Sequence, residues 1–178
     1  MRLKVITGTK VVLRPITETD TPLIVKWRNN PAVKQNFIFR ETFTEEMHNH
    51  WLETKVRAGE VVQYIIEERQ SRQCVGSVYL RDVDPINSSA EYGIFIGEDA
   101  ARGKGLGSET AKLFLNFAFE ELGLHRVSLR VLSGNASAER SYEKAGFVRE
   151  GVFRDMVKLD GTYRDVIFMA ALASDRKA

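Results

Sequence analysis

Apolar positions along the 178-residue chain change their period several times, and each change marks an element. Val11, Val12, Leu13 and Ile16 sit in a short stretch of strand character. Thr17 or Thr19 then stands where a helix cap is needed, before a helix through Leu23, Ile24, Val25 and Trp27 that Pro31 closes. A second helix is predicted from a Thr44 cap toward Gly59. Glu45 and Glu46 lie in its first turn, where carboxylates suit the positive end of the dipole, and it carries His48, Trp51 and Leu52. Residues 61–68, 73–83 and 89–96 read as three strands joined by polar turns, an antiparallel meander. Residues 105–122 follow a helical period, with Leu106, Thr110, Leu113 and Phe117 on one face and Gly123 at the end. Residues 125–132 alternate as a strand, and 135–145 form a shorter helix stopped by Gly146. From Phe147 a hairpin turns at Asp160-Gly161 and returns through Tyr163 to Leu172. This order predicts a mixed α/β fold, a central and mostly antiparallel sheet of about seven strands with helices on both faces. No repeat or linker interrupts it, so residues 1–178 are expected to form a single domain.

Composition narrows the function classes. Hydrophobic residues make up 43% of the chain, enough for a substantial core. The 26 basic and 24 acidic side chains nearly cancel, which argues against nucleic acid or an anionic membrane as a partner and leaves anion binding to a local site. The lone Cys74 rules out a disulfide framework and suits a reducing, cytoplasmic setting. No run approaches the roughly 18 apolar residues needed to span a bilayer. His48-Asn49-His50 has a fragment of a metal-site pattern but lacks further ligands nearby, so no metal is expected.

Candidate chemistry starts at residues 94–108, where an apolar strand runs through Gly97, Arg102, Gly103, Lys104, Gly105, Leu106, Gly107 and Ser108 into a helix. Such a junction leaves backbone N–H groups unpaired at a positive helix end, and its glycines admit a bulky anion. A plain capped turn would look the same. The triphosphate loop pattern is absent because Gly107 is followed by Ser108-Glu109, and the dinucleotide pattern fails because Ser108 or Thr110 occupies its last glycine position.

What remains, Arg102-x-x-Gly105-x-Gly107, resembles the pyrophosphate-binding signature of the GNAT N-acetyltransferases. About thirty residues on, Asn135, Ala138, Tyr142 and the closing Gly146-Phe147 match that family's second motif in order and spacing. The segments 27–31, 150–154 and 161–165 resemble the branch containing ribosomal-protein N-terminal and spermidine acetyltransferases. The resemblance implies acetyl-CoA as donor, its pyrophosphate on Arg102 to Ser108, its pantetheine beside the main chain of Ile94, Phe95 and Ile96, and further contacts at Asn135, Ser137 and Ala138. Tyr142 would protonate the leaving thiolate. Glu91 is the candidate base for the amine, and an exposed strand carboxylate is the alternative.

The acceptor is less defined. A primary amine is expected, either a protein N-terminus or a small amine, transferred to directly in a ternary complex. An amino-sugar nucleotide is the second reading, favoured if the cleft beside Tyr142 has cationic walls, and a non-catalytic acyl-CoA-binding module is a rival of another class. Trp27, Phe37, Phe39, His48 and Trp51 could line an acceptor pocket, with Phe153, Arg154, Tyr163 and Arg164 at its border and Lys144 near a phosphate. His125 reads as a packing residue. Dimers are common in the family, so a homodimer is allowed.

Overall fold

A computed structural model describes residues 3–176. Its strands are β1 (Ile6–Thr7), β2 (Val11–Pro15), β3 (Val62–Glu68), β4 (Cys74–Asp84), β5 (Ser89–Ile96), β6 (Arg126–Leu132), β7 (Val148–Leu159) and β8 (Thr162–Leu172). They form one sheet in the order β1-β2-β3-β4-β5-β6-β8-β7. The sheet has one strand more than the hydrophobic pattern predicts, because the two-residue β1 is too short to show a period. The helices are α1 (Thr21–Asn29), α2 (Pro31–Lys34), α3 (Glu45–Trp51), α4 (Leu106–Glu120) and α5 (Ala136–Ala145).

Several boundaries move for local reasons. Thr17 caps only a 3-10 turn, Glu18–Asp20, because the buried Asp20 folds back on it. The Asp20 carboxylate accepts from the Thr17 amide at 2.8 Å and from both terminal nitrogens of Arg14, at 2.7 and 2.8 Å. Burial works to raise this carboxyl, but the Arg14 and Thr17 bonds outweigh it and hold the group below its ordinary value. Pro31 closes α1 and at once opens α2, whose cap is the Asn30 side chain accepting from the Ala32 amide at 3.0 Å. The helix predicted toward Gly59 continues past α3 as one wide π turn, Leu52–Val56. On α4 the buried face is broader than the predicted stripe: Ala111, Phe114, Leu115 and Ala118 join Leu106, Thr110 and Phe117, while Leu113 is half-buried.

The two sheet faces carry separate cores. α4 and α5 cover Tyr64, Val78, Leu80, Tyr92, Val127 and Leu129. On the opposite face Ile24 and Trp27 of α1 and Val33 of α2 pack on Ile65 and Phe95. Trp27 is fully buried, and its Nε1 donates to Glu98 Oε1 at 2.7 Å, which pins α1 to the end of β5. A Cβ at Gly97 would stand 2.0 Å from the Trp27 side chain, so only glycine permits this approach.

The feature that positions the site is a break in pairing. Every neighbouring pair of strands is antiparallel except β5 and β6, which run parallel. Those two pair only from Ser89↔Arg126 to Glu91↔Ser128; β5 then follows β4 to Ile96 while β6 follows β8 to Leu132. The strands part, and one edge of β5 is left without a strand partner. Among the described residues, no helix is long and apolar enough to cross a membrane.

Candidate active site

Where β5 and β6 separate, a cleft of about 750 Å³ opens between the two layers of helices. One end of it is built from the segment between β5 and α4. Gly103 and Gly105 have φ of +74° and +80°, a left-handed conformation that glycine adopts without strain. α4 starts at Leu106 with no side-chain cap, so the N–H groups of its first turn are left for a ligand. Arg102 hydrogen-bonds the Ile96 carbonyl at 3.3 Å through Nε and Asp99 at 2.9 Å through one terminal nitrogen. Its other terminal nitrogen is buried with no partner among the described residues. An orphaned guanidinium nitrogen beside an uncapped helix start fits a pyrophosphate.

The remaining residues expected at a coenzyme site divide by what their side chains do. Gly107 and Ser108 line the cleft, and Ser108 Oγ lies 2.8 Å from Ser141 Oγ, joining α4 to α5. Leu106 buries its side chain in the core, so it can offer only main chain to a ligand. Lys104 turns away to Glu68 at 3.0 Å and does not line the cleft. Asn135 caps α5 by accepting from the Ala138 amide at 3.3 Å, and Asn135, Ser137 and Ala138 all border the cleft. Lys144 is there too, with Arg140 one turn before it. Sequence reasoning passed over Arg140, although its i,i+4 spacing from Lys144 was a usable signal.

At the middle, Tyr142 packs edge-on against Tyr92 at 6.1 Å and Phe147 at 5.9 Å between ring centroids. Burial, with the neighbouring Tyr79, pushes its phenol above the ordinary tyrosine value. The Tyr79 ring lies over Gly93, where a Cβ would come within 2.3 Å of it, so the β5 backbone is closely packed on the side away from Tyr92. Ile94, Phe95 and Ile96 run along the same wall. Glu91 is the one carboxylate among the described residues lining the cleft. Its Oε1 is held by Arg81 of β4 and by Arg130 of β6, the latter at 3.1 and 3.2 Å, while no partner among the described residues meets Oε2. It is therefore a braced carboxylate rather than a solvated one.

The other end of the cleft lies beneath α1 and α2. Of the residues expected to line an acceptor pocket, Phe37 and Phe39 line the cleft. Trp27, His48 and Trp51 do not: Trp27 is core, Trp51 donates to Gln63 at 2.9 Å, and His48 is buried with Nδ1 2.8 Å from the Thr21 hydroxyl. Burial, aided by the charge of Arg28, lowers His48 to about 4, so its ring is neutral at ordinary pH. Phe153, Arg154, Tyr163 and Arg164 also stand outside the cleft, on the exposed terminal hairpin, and His125 is exposed rather than packed. In their place the structure brings in Arg28, Arg81 and Arg130. Among the described residues, no cluster of three or more His, Cys, Asp or Glu could hold a metal.

Residues 10–148 match the acetyltransferase (GNAT) domain family, which accounts for most of the chain. The chain belongs to the GNAT acetyltransferase family. This GNAT enzyme is 28% identical over 172 residues to a spermidine N(1)-acetyltransferase of Vibrio cholerae, covering 94% of this chain and 95% of that one. A putative ribosomal N-acetyltransferase of Bacillus subtilis is 32% identical over 97 residues, 54% of this chain and 52% of the relative. The crystal structure of the Vibrio cholerae enzyme in complex with CoA and spermine superposes with a TM-score of 0.87 at 26% identity, covering 94% of this chain and 98% of the other. The same Vibrio enzyme is also known as a dodecamer. The chain is thus an acetyl-CoA-dependent N-acetyltransferase with the mixed α/β fold of that family.

Proposed function

We propose that the whole chain works as one domain that transfers acetyl from acetyl-CoA directly to a small primary amine, with both substrates bound in the cleft between β5 and β6. The observation that carries this reading is the unpaired β5 edge, which runs from the glycine loop to Tyr142 and Glu91. Backbone N–H groups of the uncapped α4 start and the orphaned nitrogen of Arg102 take the pyrophosphate, and Arg140 and Lys144 add charge. The pantetheine pairs with Ile94, Phe95 and Ile96 as an added strand, with Asn135, Ser137 and Ala138 on its other side.

The chemistry then needs three groups. The amine nitrogen attacks the thioester carbonyl carbon, and a β5 backbone N–H stabilises the charge that develops on oxygen. Glu91 Oε2 accepts the proton released by the amine as the C–N bond forms. When the C–S bond breaks, Tyr142 gives its proton to sulfur and later regains one from solvent. Its raised phenol suits this task, because it keeps the donor protonated throughout the neutral range. Initial rates measured across both substrates should give intersecting lines, as a ternary complex requires. Parallel lines, the pattern of an acetyl-enzyme, would reject direct transfer.

Self-association is the second part of the reading. β7 is the sheet edge, and its hairpin with β8 exposes Val148, Val152, Phe153, Met156 and Tyr163. An apolar patch on an open edge favours a second copy of the chain. Light scattering should show an oligomer that Phe153→Glu shifts toward monomer; a monomeric native protein would refute it. The free Cys74 accords with a cytoplasmic setting.

A further inference from the structure

The acceptor end of the cleft holds a guanidinium that the protein itself does not use. Arg28 projects from α1 between two aromatic rings, 4.6 Å from the Phe37 centroid and 4.5 Å from that of Phe43. It makes no hydrogen bond or ion pair with any described residue, and its Nε is buried without a partner. The arginines that share this end of the cleft are engaged: Arg81 and Arg130 both bind Glu91. Withdrawing a guanidinium from water without a counter-charge is costly, and cation–π contact returns only part of that cost. No carboxylate of the described residues pairs with it. His48 is held neutral, and Asp82, 3.7 Å from Arg81, is largely exposed and outside the cleft lining.

We propose that the acceptor amine is a small molecule that also carries an anionic group, a carboxylate or a phosphate, which Arg28 binds. The inference rests on the acetyl-transfer reading and names its substrate class. Arg28 and Glu91 give the acceptor end opposite poles, so a molecule with an ammonium and an anion is matched at both. Its size is limited, because one cleft of about 750 Å³ must also admit the pantetheine arm. Glu91 is the one carboxylate at this end among the described residues, so a polyamine, which brings further positive charges beyond the reacting amine, meets Arg28, Arg81 and Arg130 with them and is mismatched.

The test compares amines that differ only in charge, with thiol release from acetyl-CoA as the readout: an amino acid against its carboxamide, phosphoethanolamine against ethanolamine, and spermidine alongside. The anionic member of at least one pair should have a kcat/KM about 10- to 100-fold above its neutral twin. Which pair shows the gap tells carboxylate from phosphate. Arg28→Gln should shrink that ratio about tenfold through the amine KM, leaving the acetyl-CoA KM unmoved. Thermal melting checks its folding. If Arg28→Gln proves unstable, Arg28→Lys keeps a cation between the rings but loses the planar fork and should lower the ratio by a smaller factor. Neutral twins or spermidine used as well as the anionic amines by the native enzyme would overturn the inference and leave acetyl transfer standing. Absence of amine-stimulated thiol release in every arm would overturn both.

Discussion

The two ends of the cleft are made in different ways. The end at the glycine loop, proposed to hold the donor, is local: Arg102 to Ser108 are contiguous, and much of what they present is main chain, freed by two left-handed glycines and an uncapped helix. The end proposed for the acceptor is assembled from Arg28, Arg81, Glu91 and Arg130, which come from α1, β4, β5 and β6 and meet only when the sheet forms. A site of backbone N–H groups suits a ligand part that never varies, such as a pyrophosphate. A site of side chains on scattered elements can be rewritten one residue at a time, which lets a family keep its donor and change its acceptor.

That contrast can be sharpened by removing one part of each end. Glu91→Gln should lower kcat about 100-fold, since it removes the proposed proton acceptor, while acetyl-CoA binding is held within a factor of about three. Gly107→Val should do the opposite, raising the acetyl-CoA KM roughly 30-fold with kcat at saturation little changed. A Cβ at Gly107 has room, because the nearest heavy atom beyond its chain neighbours and its own helix backbone is Ile96 Cγ1 at 4.0 Å, and thermal melting checks that the variant folds. Steady-state kinetics with each substrate varied would separate the two. If both variants affected the same constant, the division of the cleft would be wrong.

A smaller effect concerns the support beneath the acceptor end. His48 is lowered to about 4 in the folded protein, against about 6.5 when unfolded. Between those values the unfolded chain binds a proton that the native state does not, so stability falls as pH drops from 6.5 toward 4. From pH 7 to 5 the loss should be about 2 kcal/mol, measured by urea unfolding. Asp20 contributes with the same sign, but only at lower pH, as its lowered carboxyl is protonated. A His48→Gln variant should flatten the slope above pH 5, and an unchanged slope would show that the ring is not the cause.

The same contrast explains what could be read from the sequence. Strand and helix order, the glycine loop, Asn135 and Tyr142 depend on spacing within short segments, and spacing is visible in one dimension. Arg28 lies in a segment, 27–31, marked only by its family resemblance, with nothing local to place its side chain in the cleft, and the pairing of Arg81 with Glu91 depends on cross-strand register. His48 and Trp51 have the helical spacing of pocket residues, yet hydrogen bonds to Thr21 and Gln63 assign them to packing. Lys104 lies inside the loop motif, but Glu68, 36 residues away, determines where its side chain goes. These side chains are placed by contacts outside their own segments, which local spacing does not show.

The central claim is that acetyl passes directly to the amine at the point where Tyr142 meets the β5 edge. Single-turnover mixing of the enzyme–acetyl-CoA complex with a competent amine tests it most directly, comparing the native chain with Tyr142→Phe. The account predicts a rate of amide formation about 100-fold lower in the variant, an unchanged Kd for acetyl-CoA, and no acetyl adduct on either protein by intact mass. Equal single-turnover rates, or an acetylated protein that passes its acetyl group to the amine, would contradict it.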